Sequence, residues 1–544
     1  MNRDASTAAA AIVEALVVNG IDTVFGLPGG QLYDLFEALR SHSDRLRVVT
    51  SRHEQGAAYM AYGYAHSTGR IGVFTIVPGP GVLNASAALL TAYGCNSRVL
   101  CIAGEIPQAG IGRGVGYLHE LPDQVGLMRH VTKWARHIDR PADTAAVMSE
   151  AFRQLHDGRP RPVAVDMSMD TMAERVDLPP ATRVTPGPLP AGDPDALARA
   201  ALLLGKAKRP VIVVGGGAAD AAEEVRELAE MLQAPVTSFR QGRGILSDRH
   251  YLAQTYPAGN RLWKDADAAL LVGTRGKYPL MYWGTSGLDI VRIDIDPAQI
   301  EQLGRPAIGI VADAARALRS LIEQIPGHNR KRDSLREEML ALKASLEQQF
   351  ASIEPQYSYL KVIRECLPED GIFVDEVTQV GFASWYMLPV YRPRQLISSG
   401  YQGNLGYGYA TALGVQIANP ERKVLQISGD GGLMYNIQEL STAVANRVPL
   451  TTVVFRDDFF GNVRRDQTRH FGADHTFAVE LRNPDFVQLA ESFGAQGLRA
   501  RNPVELREAI LRGFAYDGPT LIEVPTGAMA SPWPFIQLPA VRGT

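Results

Sequence analysis

The sequence has little cysteine: three residues in 544, Cys95, Cys101 and Cys366, and no C-x-x-C pair. That scarcity excludes a disulfide framework and a cysteine-based structural zinc site, and it suits a reducing compartment. Net charge is nearly absent too. A formal balance of −3 leaves no electrostatic footprint for nucleic acid or an anionic membrane surface. No apolar run reaches the roughly 18 residues that read as a membrane span. The alanine-rich start, interrupted by Asp4 and Glu14, lacks the apolar core of a signal peptide. These absences predict a cytoplasmic protein with small-molecule partners, no nucleic acid and no membrane. Glycine, by contrast, is plentiful, and much of it stands at the ends of short apolar runs.

One stretch carries the densest chemistry. Val424, Leu425 and Ile427 belong to an apolar run that stops at Gly429-Asp430-Gly431-Gly432, where glycines let the backbone turn and leave amides uncovered. Leu433, Ile437, Leu440 and Val444 recur at helical spacing and predict one helix. Leu450 to Phe455 is a second strand, ending at Arg456-Asp457-Asp458. In a strand-helix-strand unit the strands are parallel and their carboxyl ends adjoin, so Asp430 and Asp457 face one crevice. Two hard oxygen ligands beside exposed amides suit Mg²⁺ carrying a diphosphate. An ordinary βαβ unit with a solvated Asp in each loop gives the same pattern.

At these residues the sequence resembles the thiamine diphosphate-dependent enzymes, in particular chains similar to acetolactate synthase and benzaldehyde lyase. The family signature is Gly-Asp-Gly followed by a ligand pair, usually Asn-Asn, which here reads Arg456-Asp457. The resemblance implies magnesium held by Asp430, Asp457 and the carbonyl of Phe459, at a site more anionic than is usual in the family. It also implies cofactor contacts at Gly429, Gly431, Gly432, Phe460 and Gly461, and at Thr378 and Gln379 after the strand Ile372 to Asp375. Gly403-Asn404-Leu405-Gly406 resembles the segment whose large apolar residue, Leu405 here, props the cofactor into its bent form; without a cofactor Leu405 reads as a core leucine between glycines.

Glu54 sits in Ser51-Arg52-His53-Glu54-Gln55-Gly56-Ala57-Ala58. Ser-x-x-Glu before a helix is a capping box. The resemblance makes Glu54 instead the acid that contacts N1′ of the aminopyrimidine, a role for a carboxyl with a raised pKa that passes a proton to a ring nitrogen. Gly79, in Pro78-Gly79-Pro80-Gly81, matches the family's Gly-Pro-Gly. Gln31, in a glycine-rich turn, falls where benzaldehyde lyase has a histidine and is a candidate substrate contact. His119-Glu120 replaces the Phe-Gln of acetolactate synthase-like chains, giving a candidate acid or base. Arg464 and Arg465 bind a substrate carboxylate or face water. Arg275 stands where acetolactate synthases place an arginine between substrate and FAD; the residues after it, Gly276-Lys277-Tyr278-Pro279, depart from that pattern and argue against FAD.

The resemblance covers essentially the whole chain. It implies an α/β fold of three domains, each a mostly parallel sheet flanked by helices: a pyrimidine-binding domain over 1–177, a central Rossmann-like domain over 193–325, and a diphosphate- and metal-binding domain over 350–544. It implies a homodimer or homotetramer with active sites between subunits. The implied reaction is decarboxylation of a 2-oxo acid with transfer of the acyl unit to an aldehyde or ketone acceptor, a transferase or lyase activity. A simple 2-oxo acid decarboxylase or an acyloin-forming lyase is the alternative, and outside the class stand a non-catalytic cofactor-binding relative and a flavin oxidoreductase built on Gly215 to Gly217.

Overall fold

The computed structural model describes residues 6 to 543. Three six-stranded sheets, each parallel throughout, are built in succession along the chain, and Ser6–Thr7 pairs antiparallel with Arg175–Val176. The first sheet runs, edge to edge, Arg47–Thr50, Thr23–Gly26, Gly72–Ile76, Val99–Glu105, Val163–Ser168, Trp134–Ile138. The third runs Leu396–Ile397, Ile372–Val374, Val424–Gly429, Thr451–Arg456, Thr520–Pro525, Gln496–Arg499. Both use one strand order, with the first strand of the unit between the second and third and the last two exchanged. The central sheet, Ala253–Gln254, Val236–Ser238, Pro210–Val214, Ala268–Val272, Asp289–Asp294, Ile308–Val311, is instead the doubly wound Rossmann arrangement.

Parallel strands covered by helices on both faces are buried on both sides and read as continuous apolar runs. Val424 to Ser428 are all buried, and Ala268 to Val272 likewise. Every loop singled out above leaves the carboxyl end of such a strand. In doubly wound sheets that end, where neighbouring connections diverge to opposite faces, is where ligands bind. Asp375-Glu376 and Gly429-Asp430 flank that divergence in the third sheet, and Gly215 and Gly273 flank it in the central one.

The first and third units are fused through one helix pair. Glu54–Thr68 lies against Gly408–Ala418 so closely that a Cβ on Gly63 would stand 2.1 Å from the Thr411 carbonyl oxygen, and one on Gly414 would stand 1.9 Å from that of Met60. Their small residues Ala57, Ala58, Ala61, Ala410 and Ala412 share a single apolar core. From Trp533 onward the chain returns to the central unit, where the Arg542 guanidinium donates to the carbonyls of Trp263, Ala266 and Ser286. No helix among the described residues is long and apolar enough to cross a membrane.

One local expectation gives way. The single helix over 433–444 is broken: Asp430–Leu433 and Glu439–Ala445 are separate helices. Between them Asn436 is fully buried and donates from Nδ2 to the Gly406 carbonyl at 2.6 Å, which demands a turn that a continuous helix cannot make.

Candidate active site

Asp430 and Asp457 leave adjacent parallel strands, in register at Gly429 and Phe455. Asp430 is 2% exposed; its Oδ2 accepts from the Asp458 amide at 2.8 Å and from Asn483 Nδ2 at 2.7 Å. Burial and then the charge of Asp457 push its carboxyl up to about 6. Asp457 accepts from the Phe459 amide at 3.1 Å, and burial, with Asp458 adding, raises its pKa as well. Arg456 is spent elsewhere, on Asp458 at 2.8 Å and on buried Glu523 at 3.0 Å. Arg464 offsets only part of this at Asp457, so both carboxyls stay above their ordinary range, a setting that a bound cation would relieve. Among the described residues no group of three or more His, Cys, Asp or Glu side chains is gathered to hold a metal. Two carboxylates with a backbone carbonyl, waters and phosphate oxygens is nonetheless a normal magnesium set.

Beside the pair the backbone stays open. Gly429 meets only Thr378, whose side chain a Cβ would approach at 3.5 Å, and Gly432 faces Glu376. Thr378 caps the helix Gln379–Met387 without a side-chain bond, and the Oε1 of Gln379 is buried without a partner. The Gly431 amide is taken up by Asp430 Oδ1 at 3.0 Å, so the unpartnered Gln379 amide group is the polar side chain left beside the loop for a ligand. Beneath lie two acids that periodicity did not single out. Asp375 accepts from Trp385 Nε1 at 2.6 Å and from the Tyr407 hydroxyl, while Glu376 accepts from the amides of Val377 and Gly408, each at 2.9 Å. Burial pushes Asp375 to about 7 and Glu376 to about 8.

Leu405 is half-buried in a loop fixed from both sides. Asn404 bonds Tyr59 and accepts from Thr91 Oγ1 at 3.1 Å, tying the loop to the first unit, while Asn436 holds Gly406 from the third. Gly403 and Gly406 take positive φ, 58° and 83°. The loop therefore has little freedom to move Leu405.

At the other end, the capping box is not formed. His53 caps the helix, its Nδ1 accepting from the Gln55 amide at 3.1 Å, and the buried Ser51 hydroxyl has no partner. That releases Glu54, whose Oε2 accepts from Asn84 Nδ2 at 3.0 Å. A Cβ on Gly81 would lie 3.5 Å from Glu54 Cγ, so the Gly79–Gly81 turn packs directly on this acid. Gly79 has φ 56° and ψ −107°, and a Cβ there would meet the His119 carbonyl at 2.3 Å. Gln31, 5% exposed, joins the same cluster: Nε2 donates to the Leu118 carbonyl at 2.9 Å and Oε1 meets His119 Nδ1 at 2.9 Å. Glu120 accepts from the amides of Gly116 and Tyr117, and the Tyr117 amide leads in holding its pKa below the usual range.

The remaining candidates lie apart. Arg464 stacks on Phe459 with its guanidinium carbon 3.9 Å from the ring centroid, beside Asp457. Arg465 pairs with Asp466 at 2.6 Å and lies over Trp533, whose Nε1 donates to Asn462. Arg275 lines a cavity of about 840 Å³ where the three units meet, with Gly215 to Gly217 and Gln299 also on its wall. There it donates to the Gly94 carbonyl at 2.9 Å and stacks on Tyr401. Gln299 Oε1 is buried in that wall without a partner, so the cavity fits a polar ligand of nucleotide size. Asn84, Asn483 and Asn436 went unsingled in the sequence, because each acts across a long separation that no local spacing announces.

Comparison with known proteins agrees with this geometry. Residues 6–127 match the N-terminal TPP binding domain of thiamine pyrophosphate enzymes, 197–321 their central domain, and 376–524 their C-terminal TPP binding domain. A probable 2-ketoarginine decarboxylase, AruI, of Pseudomonas aeruginosa is 32% identical, over 95% of this chain and 94% of its own length. The acetolactate synthase isozyme 1 large subunit of Escherichia coli is 30% identical over 97% and 96%. A probable acetolactate synthase large subunit of Methanocaldococcus jannaschii is 31% identical over 95% and 91%. With three matched domains in order and full-length relatives, this chain belongs to the thiamine pyrophosphate enzyme family.

Proposed function

We propose that the chain catalyses thiamine diphosphate- and Mg²⁺-dependent decarboxylation of a 2-oxo acid, with transfer of the acyl unit to an aldehyde or ketone, as an acetolactate synthase-like carboligase. The observation that carries this reading is the buried pair Asp430 and Asp457 at the ends of adjacent parallel strands, in a chain whose Glu54 is freed from helix capping and held by Asn84. Bound cofactor would supply a nucleophilic carbon that adds to the substrate carbonyl and accepts the electrons left by CO₂. Asp430, Asp457 and the Phe459 carbonyl would hold the magnesium, and Thr378, Gln379 and the Gly429–Gly432 backbone the diphosphate. Leu405 would set the bend, and Glu54 would exchange a proton with the aminopyrimidine ring.

A second reading, simple decarboxylation, rests on the hydrogen-bonded pair Gln31 and His119, which puts a proton-bearing ring in the loop facing Gly79. The resemblance to a probable 2-ketoarginine decarboxylase favours the same outcome. A panel of 2-oxo acids, each with and without an aldehyde, separates the two by CO₂ release and coupled product. Pyruvate giving neither would end the acetolactate reading.

The working unit is proposed to be a homodimer or homotetramer in which Glu54 of one copy meets the diphosphate end of another. Within one chain, Glu54 bonds Asn84 of the first unit, and Asp430 bonds only residues of the third. Co-expressing Glu54→Gln with Asp430→Ala should restore part of the activity, since mixed dimers hold one intact site; no recovery would refute sharing.

A further inference from the structure

The Pro78–Gly81 turn packs on Glu54, and its one inward amide is held by a residue that the reaction does not otherwise use. The Gly79 amide donates to Gln124 Oε1 at 2.8 Å. Gln124 is 2% exposed, and its own amide donates twice, to the Gly104 carbonyl at 2.9 Å and to Asp166 Oδ2 at 3.0 Å. That pattern fixes which way the amide points: turned over, it would face a carboxylate and a carbonyl with an oxygen and the Gly79 N–H with a nitrogen. Asp166, 1% exposed, takes His137 Nδ1 at 2.8 Å on its other oxygen, and His137 Nε2 meets Gln108 Oε1 at 2.9 Å. His137 Nδ1 donates to the buried carboxylate, and against the ring's burial the Asp166 bond and charge raise its pKa, so the ring is the group that offsets the Asp166 charge.

We propose that Gln124 is a positioning residue for the pyrimidine half of the site: clamped by the Asp166–His137 ion pair, it fixes the Gly79 turn and through it the placement of Glu54. The turn's own closing bond is long, Gly81 amide to Pro78 carbonyl at 3.3 Å, so the shorter bond to Gln124 is its firmest tie; Gly79 at φ 56°, ψ −107° takes a conformation that only glycine adopts freely. Gly79 is also the residue before the helix Pro80–Gly94, so Gln124 sets the entry of the helix whose first turns supply Gly81 and Asn84 to Glu54.

This rests on the chain binding thiamine diphosphate, and the test separates the two claims. In full-length protein, cofactor affinity is read by tryptophan fluorescence with Mg²⁺, alongside turnover at saturating cofactor and thermal unfolding. Gln124→Leu strands the Gly79 amide; it should weaken cofactor binding about 10-fold and lower turnover a further 10- to 100-fold. Gln254→Leu is the control, because Gln254 is equally buried and donates to the Tyr251 and Met339 carbonyls in the central unit, far from the turn; it should lower stability while leaving affinity and turnover at wild-type values.

Gln124→Glu keeps an oxygen for Gly79 but sets a carboxylate against Asp166. His137 bonds Asp166, and Glu105 and Cys101 lie close enough to feel its charge; these titratable groups are common to both proteins. The ratio of variant to wild-type affinity should therefore rise as pH falls from about 8 to about 6, where the new carboxyl takes up a proton to donate to Asp166. Wild-type protein that ignores the cofactor refutes the family function. Wild-type binding with Gln124→Leu unchanged in affinity and turnover, or a Gln124→Glu ratio flat with pH, refutes the positioning role.

Discussion

Replacing Gly63 with alanine adds one methyl at the place where the first and third units touch backbone to backbone. The new carbon would stand 2.1 Å from the Thr411 carbonyl oxygen, and the reciprocal methyl at Gly414 would stand 1.9 Å from that of Met60. A relaxed carbon-to-carbonyl contact is about 3.3–3.6 Å, so the helices must part by roughly 1.2–1.7 Å. A gap of 0.5–1 Å already forfeits about a quarter to a half of each dispersion contact. Overpacking of this kind costs about 1–3 kcal/mol. Because Glu54 opens one of these helices and Leu405 lies in the loop that leads into the other at Gly408, the same shift should reach the proposed site, where a displacement of about 1 Å can cost roughly 100-fold in rate. Urea unfolding and CO₂ release at saturating cofactor measure the two effects. Gly327→Ala serves as control, since a Cβ there meets nothing within 4 Å. The double variant should cost less than the sum of the singles, the first having opened the gap already. Wild-type stability and turnover in Gly63→Ala, or strict additivity in the double variant, would refute the close packing.

Glu54→Gln should bind cofactor near normally yet lose about 100- to 10,000-fold in turnover, the range for a missing acid or base; fluorescence titration beside a CO₂ assay checks both halves. Chelation should abolish activity and Mg²⁺ restore it. Asp430→Ala should lose more metal affinity than the roughly 10–100-fold typical of an outer partner, as calorimetric titration would show. Asp375 and Glu376 titrate near 7 and 8, above their ordinary 3.8 and 4.5, because of burial. Stability from the protonated forms is then complete below the ordinary values and lost as pH rises through about 7 and 8, so Asp375→Asn should flatten the apoprotein's unfolding midpoint over that range; parallel curves would contradict it.

What the sequence made legible follows from where each signal is stored. Ala268 to Val272 reads directly, because a strand buried on both faces needs apolar residues throughout. The nearness of the two aspartates reads because Gly429 to Gly432 and Asp457 close adjacent parallel strands, so a motif along the chain becomes a neighbourhood in space. Ser51 misled as a capping residue because its offset from Glu54 is right while its hydroxyl is buried and the preceding histidine does the work. The break after Leu433 was invisible for a similar reason: the apolar period continues across it, and only the distant Gly406 carbonyl explains the turn. Asn483 and Gln124 left no local trace, each being an amide that matters for a partner far along the chain.

The short interruption around Asn436 works as a spacer of fixed length. One of its ends is continuous with the aspartate loop, and its side chain grips the carbonyl just past Leu405. Dropping or inserting a single residue between Met434 and Gln438 would shift Leu405 relative to Asp430 even though neither loop had been edited. Length variation should therefore be tolerated far better in the extended segment between Leu178 and Asp193 than in this five-residue bridge.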